Sequence, residues 1–469
     1  MSTLHAYDAA REAPNRDALV VEGQVFTYED LEGILAAYMI DLLDRGVRPG
    51  SDDPVAVIGE NSFDTLQRAL CLITAGVPLF LIHPALTERE RSQLIRDIQP
   101  IVTPRREHSP DEPPLARGNL NFPDVDSRDE RPLAVVYTSG TSGRPKGVIL
   151  SRRAFVWSAR ASEANLGWRA DDRWLLRIPI AHIGGLSAVT RCLLARRCLV
   201  LGDERIGLLE QIERDRVTIA SLVPTQLRRL IDAAPNWRPP DHLRAILLGG
   251  GHAPADLLSD AADRGWPVLT TYGLTEACSQ VATQPYGTTN RGELGSGLPL
   301  PGVELRVVDG LIQVRGRMLF SGYFPQLAAP PLTDDGWFRT GDRARVDEHG
   351  FLHVLGRMSD LIVSGGENVD PLEVEAVLRD LPGVADACVF GVPDRDWGER
   401  VAAVIVPAAE QTPDPAVLER ELRTRLATFK RPRAVAFAQA LPLTGPGKVD
   451  RREAARAFSS RLRPLTQTE

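Results

Sequence analysis

From residue 53 onward the chain alternates short apolar runs with stretches of helical period, and this alternation narrows the possible folds more than any other feature. DPVAVIG (53–59) reads as a strand, FDTLQRALCLITAG (63–76) as an amphipathic helix and VPLFLI (77–82) as the next strand. LRAILLGGG (243–251), APADLLSDAADRG (253–265) and PVLTTYG (267–273) repeat the pattern further on. Strands that alternate with helices call for parallel sheets with helices packed on both faces. At 469 residues the chain exceeds the size at which one core keeps growing, so two or more domains are expected.

The pattern changes along the chain. TPRREHSPDEPPLARGN (103–119) is rich in proline and charge and reads as an exposed connector. After about residue 290 short strands with turns follow one another, in VELRVV, LIQVRG and FLHVLG, and a small β-barrel-like part is expected there. Beyond GRMSDLIVSGGENVDP (356–371) lies a self-contained α+β unit. PLEVEAVLRDL is a helix with proline in its first turn, ADACVFGV and RVAAVIV are strands, and PAVLERELRTRLATF (415–429) is a second helix. The expected division is a large α/β N-terminal domain over residues 1–357 and a small C-terminal domain over 358–469.

Composition excludes several functions. The net charge is −7, with both signs dispersed, which argues against nucleic-acid binding, since that needs a basic face. Cys71, Cys192, Cys198, Cys278 and Cys388 are scattered and form no CxxC, as expected of free thiols in a reducing cytoplasm. The opening MSTLHAYDAAREAPNRDA has no signal-peptide core, and ALCLITAGVPLFLI (69–82) is too short to span a bilayer, so no membrane insertion is expected.

Of the 55 basic residues only Lys146, Lys430 and Lys448 are lysines. Lys146 is the penultimate residue of the run YTSGTSGRPKG (137–147). Glycines let several backbone N–H groups converge on one anion, hydroxyls add donors, and a lysine adds a point charge. Thr138, Ser139, Gly140, Thr141, Ser142, Gly143 and Lys146 are therefore candidate phosphate ligands, with a polar hairpin loop as the alternative. The run is not a Walker A loop, because Lys146 lies between Pro145 and Gly147.

YGLTEACSQ (272–280) follows an expected strand end, where open α/β sheets bind ligands. Tyr272 could stack on a purine, Thr275 bond a phosphate and Glu276 hold Mg2+ with its waters; a helix start capped by Thr275 is the alternative. GWFRTGDRA (336–344) places Asp342 after a glycine turn, where it could accept from ribose hydroxyls. Arg357 stands at the expected junction, and Lys448 lies in PLTGPGKVDRR (442–452), which also reads as a plain solvated turn.

In this order these motifs resemble those of the adenylate-forming enzymes, which include acyl- and aryl-CoA synthetases, luciferases and peptide-synthetase adenylation domains. The resemblance runs from about YEDLEG (28–33) to the Lys448 motif. It implies a mobile C-terminal domain pivoting about Ser359–Asp360, and two half-reactions that use ATP, Mg2+ and coenzyme A on a small-molecule carboxylic acid. It implies nucleotide contacts from the loop 138–146, Gly249, Gly250, Thr271, Tyr272, Gly273, Asp342 and Arg357. Thr275 and Glu276 would act at the phosphates, with Glu276 also holding the metal. Lys448 would serve adenylation, and Gly365 and Gly366 would line the path of the pantetheine arm.

IPIAHIGGLSAVTR (178–191) and LLGGGHAPADLL (247–258) would shape the acid site. Amino-acid-activating relatives carry an Asp near the first segment, where this chain has Ala181 and His182. His182, Arg191, LLGGGHAP and YGLTEACSQ look like the o-succinylbenzoate–CoA ligases of menaquinone biosynthesis. That likeness implies His182 beside the reacting carboxylate and Arg191 anchoring a second one, with Gly251 and Gln280 nearby. Ala181 stands where a Phe is common. Ligation of another aryl or medium-chain acid, loading of a carrier protein, and nucleotide binding without catalysis stay open, as does a homodimer.

Overall fold

The computed structural model describes residues 3–84, 86, 88–98, 101–102, 129–138, 146–289, 292–324, 330–364, 367–395, 397–408, 413–445 and 447–465. They fall into two compact units. The first comprises Met1–Arg306, Gln313–Arg339 and Asp347–Leu352; the second comprises Val307–Ile312, Thr340–Val346 and His353–Glu469.

Two large sheets build the first unit. In one, Cys198–Leu201, Arg173–Leu176, Ile219–Leu222, Ala245–Leu248 and Val268–Leu274 run parallel side by side. Antiparallel strands complete both ends: Ser279–Thr283 with Leu298–Pro299, and Gln24–Thr27 beyond Asp17–Val21. In the other, Ile101–Val102, Val55–Ile58, Leu79–Ile82 and Pro132–Thr138 are parallel, and Lys146–Ser151 and Gly322–Phe324 extend it antiparallel. The expectation of parallel sheets thus holds for their centres. Central strands such as LFLI, CLVL and AILL are buried at every residue, as strands covered on both faces must be.

Local signals set the helix ends. The Ser62 hydroxyl accepts from the Thr65 N–H at the start of Phe63–Ala75, and Gly76, at φ 71°, turns the chain out of it. A buried ion pair ties the large sheet to its connections. Asp172 accepts from Arg244 Nε at 2.8 Å and Nη2 at 2.7 Å, and Arg244 also donates to the carbonyls of Leu166 and Gly167.

In the second unit, Val384–Asp394 and Gly398–Pro407 form a long hairpin, with Ala434–Phe437 parallel to the latter. Alternation divides its side chains between two cores. Val401, Ala403 and Ile405 pack with Val374, Leu378, Leu418 and Leu422 of the helices Pro371–Arg379 and Pro415–Arg425. Ala402 and Val404 pack on the opposite face with Ala454 of Arg451–Phe458.

Some expectations need correction. Glu304–Val308, Leu311–Arg315, Phe338–Val346 and Leu352–Arg357 form an open four-stranded sheet, and no closed barrel exists among the described residues. Hairpin connections specify neighbours in a sheet but not its closure. The helix expected over 415–429 ends at Arg425, because Leu426 adopts an extended backbone, and a separate 3-10 turn covers Thr428–Lys430. A short helix, Ala6–Glu12, occupies the polar N-terminal stretch. The connector 103–119 lies outside the described residues. All five cysteines are free and buried, and no described helix is long and apolar enough to cross a membrane.

Candidate active site

The lysine of the hydroxyl-rich run opens the strand Lys146–Ser151, paired with Thr138 at the end of the preceding strand. Residues 139–145 lie outside the described residues, and with them Ser139, Gly140, Thr141, Ser142 and Gly143. Gly147 is needed beside them, since a Cβ there would come within 2.8 Å of Val135 and 2.9 Å of Tyr137. On the far edge of this strand, Tyr323 pairs with Val148, which brings its ring under Lys146, with Nζ 5.1 Å from the ring centroid.

Tyr323 also reaches Glu276. Its hydroxyl donates to Glu276 Oε1 at 3.0 Å, and the Glu276 carbonyl accepts from the Phe320 N–H at 2.9 Å. Glu276 sits in a three-residue 3-10 turn, Thr275–Ala277, directly after Val268–Leu274. Leu274 precedes that turn and Thr275 makes no cap bond, so the alternative of a Thr275-capped helix is set aside. Gly273 permits the return of the chain: a Cβ there would lie 2.1 Å from the Ser279 carbonyl oxygen. Lys146, Tyr323, Glu276 and Thr275 therefore share one corner where strand ends from both sheets converge. Among the described residues no group of three or more His, Cys, Asp and Glu side chains could hold a metal ion. A lone carboxylate suits Mg2+, which keeps several waters and takes one or two carboxylates beside substrate phosphates.

Behind this corner, Thr271, Gln280 and Thr283 form a polar ladder. Gln280 Nε2 donates to the Thr283 hydroxyl at 2.9 Å, and the Thr271 and Thr283 hydroxyls lie 2.9 Å apart. Gln280 Oε1 is buried without a partner, and Tyr272 is largely buried. Gly249 must be glycine to pass Thr271, whose Cγ2 would stand 2.7 Å from an added Cβ. Gly250, at φ 80°, and Gly251 are exposed beyond it.

His182 is the N-cap residue of the helix Ile183–Ala195, and its Nε2 lies 2.9 Å from Nε2 of His83. Arg191, further along that helix, is 3 % exposed. Its guanidinium lies 5.5 Å from the Trp174 ring centroid, and its Nε and Nη2 have no hydrogen-bond partner. Burial pushes its pKa down to about 10.

In the second unit, Arg357 Nε donates to Asp342 at 2.9 Å. Lys448 lies in a turn closed by the Thr444 N–H donating to its carbonyl at 2.7 Å. Lys448 is exposed to solvent. Desolvation pushes its pKa down, repulsion from Arg357 adds to this, and Asp342 opposes it. Gly365 and Gly366 lie outside the described residues.

Residues 6–324 match the family model described as AMP-binding enzyme, and residues 373–448 match the AMP-binding enzyme C-terminal domain. The chain belongs to the AMP-binding enzyme family. Among similar proteins, the 2–succinylbenzoate–CoA ligase of Bacillus licheniformis is 36% identical over 94% of this AMP-binding enzyme and 97% of its own length. That of Bacillus pumilus is 34% identical over 93% and 94%. The o-succinylbenzoate CoA synthetase (MenE) of Bacillus subtilis, solved with its acyl-adenylate intermediate, superposes with a TM-score of 0.85 at 31% identity, covering 97% of this chain and 98% of that one. ATP-bound MatB from Rhodopseudomonas palustris gives 0.86 at 28% identity over 97% and 99%.

Two residues at the site, His83 and Tyr323, belong to none of the motifs singled out in the sequence of this AMP-binding enzyme. His83 was marked only by its place after the strand Leu79–Ile82 in LIHP, and Tyr323 only as an aromatic after a Ser-Gly pair.

Proposed function

We propose that this AMP-binding enzyme is an ATP-dependent acid–CoA ligase, and that its acid is 2-succinylbenzoate. Arg191 is the observation that carries the choice of acid. A buried guanidinium without an anion is costly, and a carboxylate on the substrate would offset that cost through a bidentate pair. A substrate with two carboxylates can leave one at Arg191 and present the other for activation. The similarity to 2-succinylbenzoate–CoA ligases over nearly the whole chain supports the same acid.

In the first step, an oxygen of the substrate carboxylate attacks the α-phosphorus of ATP. The bond to the bridging oxygen breaks and pyrophosphate leaves, giving the acyl-adenylate. In the second, the CoA thiolate attacks the acyl carbon and AMP leaves with the electron pair of the C–O bond, giving the thioester. Carboxylate and triphosphate repel, so the hydroxyl-rich loop with Lys146, and Lys448, act by offsetting charge that develops in the first transition state. Thr275 donates to a phosphate, and Glu276 is held for its role by Tyr323. A magnesium ion held through Glu276 and its waters would supply neutralisation of the phosphate oxygens. Asp342, held by Arg357, accepts from the ribose, while Thr271, Tyr272, Gly249, Gly250 and Gly273 line the nucleotide. His182, Gly251 and Gln280 border the acid. The C-terminal domain pivots about Ser359–Asp360 between the steps and brings Gly365 and Gly366 to the pantetheine arm. The compartment is the cytoplasm.

One observation favours a second reading, a CoA ligase for a monocarboxylic aryl or medium-chain acid. Nine residues separate His182 from Arg191, about two and a half helical turns, which places the two on opposite sides of the helix axis. Arg191 could then serve only to pack on Trp174. A turnover screen with ATP and CoA across aromatic, dicarboxylic and fatty acids separates the readings. Under the first, 2-succinylbenzoate is the preferred acid, and Arg191→Ala raises its KM while leaving that of a monocarboxylate unchanged. Equal effects on both acids support the second, and no acyl-CoA from any acid excludes both.

A further inference from the structure

The two sheets of the first unit meet at a seam that the backbone stitches closely. Gly59 is held to its own sheet by its N–H donating to the Ile82 carbonyl at 2.9 Å, and its carbonyl reaches the other side of the seam by accepting from the Ala181 N–H at 3.1 Å. Asn61 accepts from the Ile180 N–H at 3.2 Å and donates to the Leu176 carbonyl at 3.4 Å. His83 leaves the first sheet at this seam and His182 leaves the second. Their rings face each other with centroids 4.7 Å apart and Nε2 atoms 2.9 Å apart.

A contact of that length between two imidazole nitrogens is a hydrogen bond only when one carries a proton and the other does not. Two imidazolium rings, or two rings protonated only at Nδ1, would repel there. Burial lowers the pKa of His83, which favours its neutral form. His182 makes no cap bond with its side chain to its own helix. Its Nε2 is engaged by His83, which turns Nδ1 and the remaining ring edge elsewhere.

We propose that His83 is a positioning residue for acid binding: through Nε2 it holds the His182 ring in one tautomer and one orientation, so that the incoming acid meets an imidazole already in place. The inference rests on the ligase reading for the identity of the acid. Nothing in it requires His83 to touch the substrate.

The test uses the full-length enzyme with His83→Phe, which keeps a ring but no nitrogen, and His83→Gln, whose amide reaches about as far as Nε2. His83→Phe is expected to raise the KM for the acid about two- to tenfold, the range one hydrogen bond supplies, with the KM for ATP unchanged. His83→Gln restores most of the loss. The double variant His83→Phe/His182→Phe is no worse than His182→Phe alone, because the first residue acts through the second. In protein labelled with 15N-histidine, the His182 ring nitrogens shift in His83→Phe. An unchanged acid KM in His83→Phe, an equal rise for ATP, independent multiplication in the double variant, or unmoved His182 resonances would each overturn the proposal. The resonance measurement needs no turnover. A failure of every acid to react therefore counts against the ligase reading alone, while the spectra still decide on His83.

Discussion

The Tyr323 hydroxyl donates to Glu276 Oε1 across 3.0 Å while the same ring lies beneath Lys146, whose Nζ is 5.1 Å from its centroid. One aromatic side chain thus touches both charged groups assigned to the phosphates. Tyr323→Phe removes the bond to Glu276 and keeps the surface under Lys146. A hydrogen bond to a charged acceptor contributes about 1.5–3 kcal/mol, so the adenylation rate should fall roughly 10- to 100-fold, with a higher Mg2+ concentration needed for half-maximal rate. Pyrophosphate release measured across a Mg2+ titration checks this. An unchanged Mg2+ dependence would detach Tyr323 from the metal-binding role given to Glu276.

The seam between the sheets predicts a stability effect at a residue with no chemistry of its own. A Cβ on Gly59 would lie 2.6 Å from the Ala181 backbone nitrogen and 2.7 Å from its Cβ. These are backbone-anchored atoms that cannot swing away, so Gly59→Ala should cost about 1–3 kcal/mol, as overpacking does. Because Ala181 precedes His182, the acid KM should rise more than the ATP KM. Urea denaturation and steady-state kinetics on the same variant read both effects.

Whether such positions can be read in a sequence depends on how far apart their partners lie. LFLI and AILL announce buried parallel strands because every residue in them is apolar. Lys146 and Glu276 stand out because glycines and hydroxyls surround them locally. Tyr323 gains its role only from pairing with Val148, and His83 only from meeting His182, 99 positions away. Neither relation leaves a mark in nearby residues. The barrel failed for a related reason, since closure is a long-range property of an open set of hairpins. LATF (426–429) after the helix Pro415–Arg425 continues an apolar period, yet Leu426 is extended, so periodicity overran the helix end.

Asp172 and Arg244 supply a pH-dependent prediction. Burial works to raise the Asp172 pKa, but the bonds from Arg244, the Arg169 N–H and Thr218 outweigh it and the net direction is down. A carboxylate with a lowered folded-state pKa contributes stability above its unfolded value, near 3.9, and loses it as the pH falls through the folded value. Asp172→Asn leaves Arg244 buried without its counter-charge and should cost about 3–5 kcal/mol at neutral pH. The gap between wild type and variant should narrow as the pH drops below about 4. Denaturation midpoints measured from pH 7 to pH 3 test the sign, and a gap that widens in acid would refute it.

Lys448 gives the corresponding prediction for catalysis. Desolvation lowers its pKa, repulsion from Arg357 adds to this, and attraction to Asp342 only partly opposes it. In the role proposed for Lys448 the protonated ammonium is the form that offsets phosphate charge, so adenylation should fall as the pH rises through a value below the ordinary lysine range. Lys448→Arg keeps a cation that does not titrate there, so whatever activity it retains should lack this alkaline fall. Lys448→Ala should lower adenylation about 10²–10³-fold, as loss of one transition-state donor does. It should slow thioester formation from supplied acyl-adenylate far less if, as proposed above, the C-terminal domain pivots before CoA reacts. Half-reaction rates across pH 7 to 10, with acyl-adenylate supplied for the second, measure all three. If Lys448→Ala slowed both half-reactions equally, the assignment of Lys448 to the first step would fall.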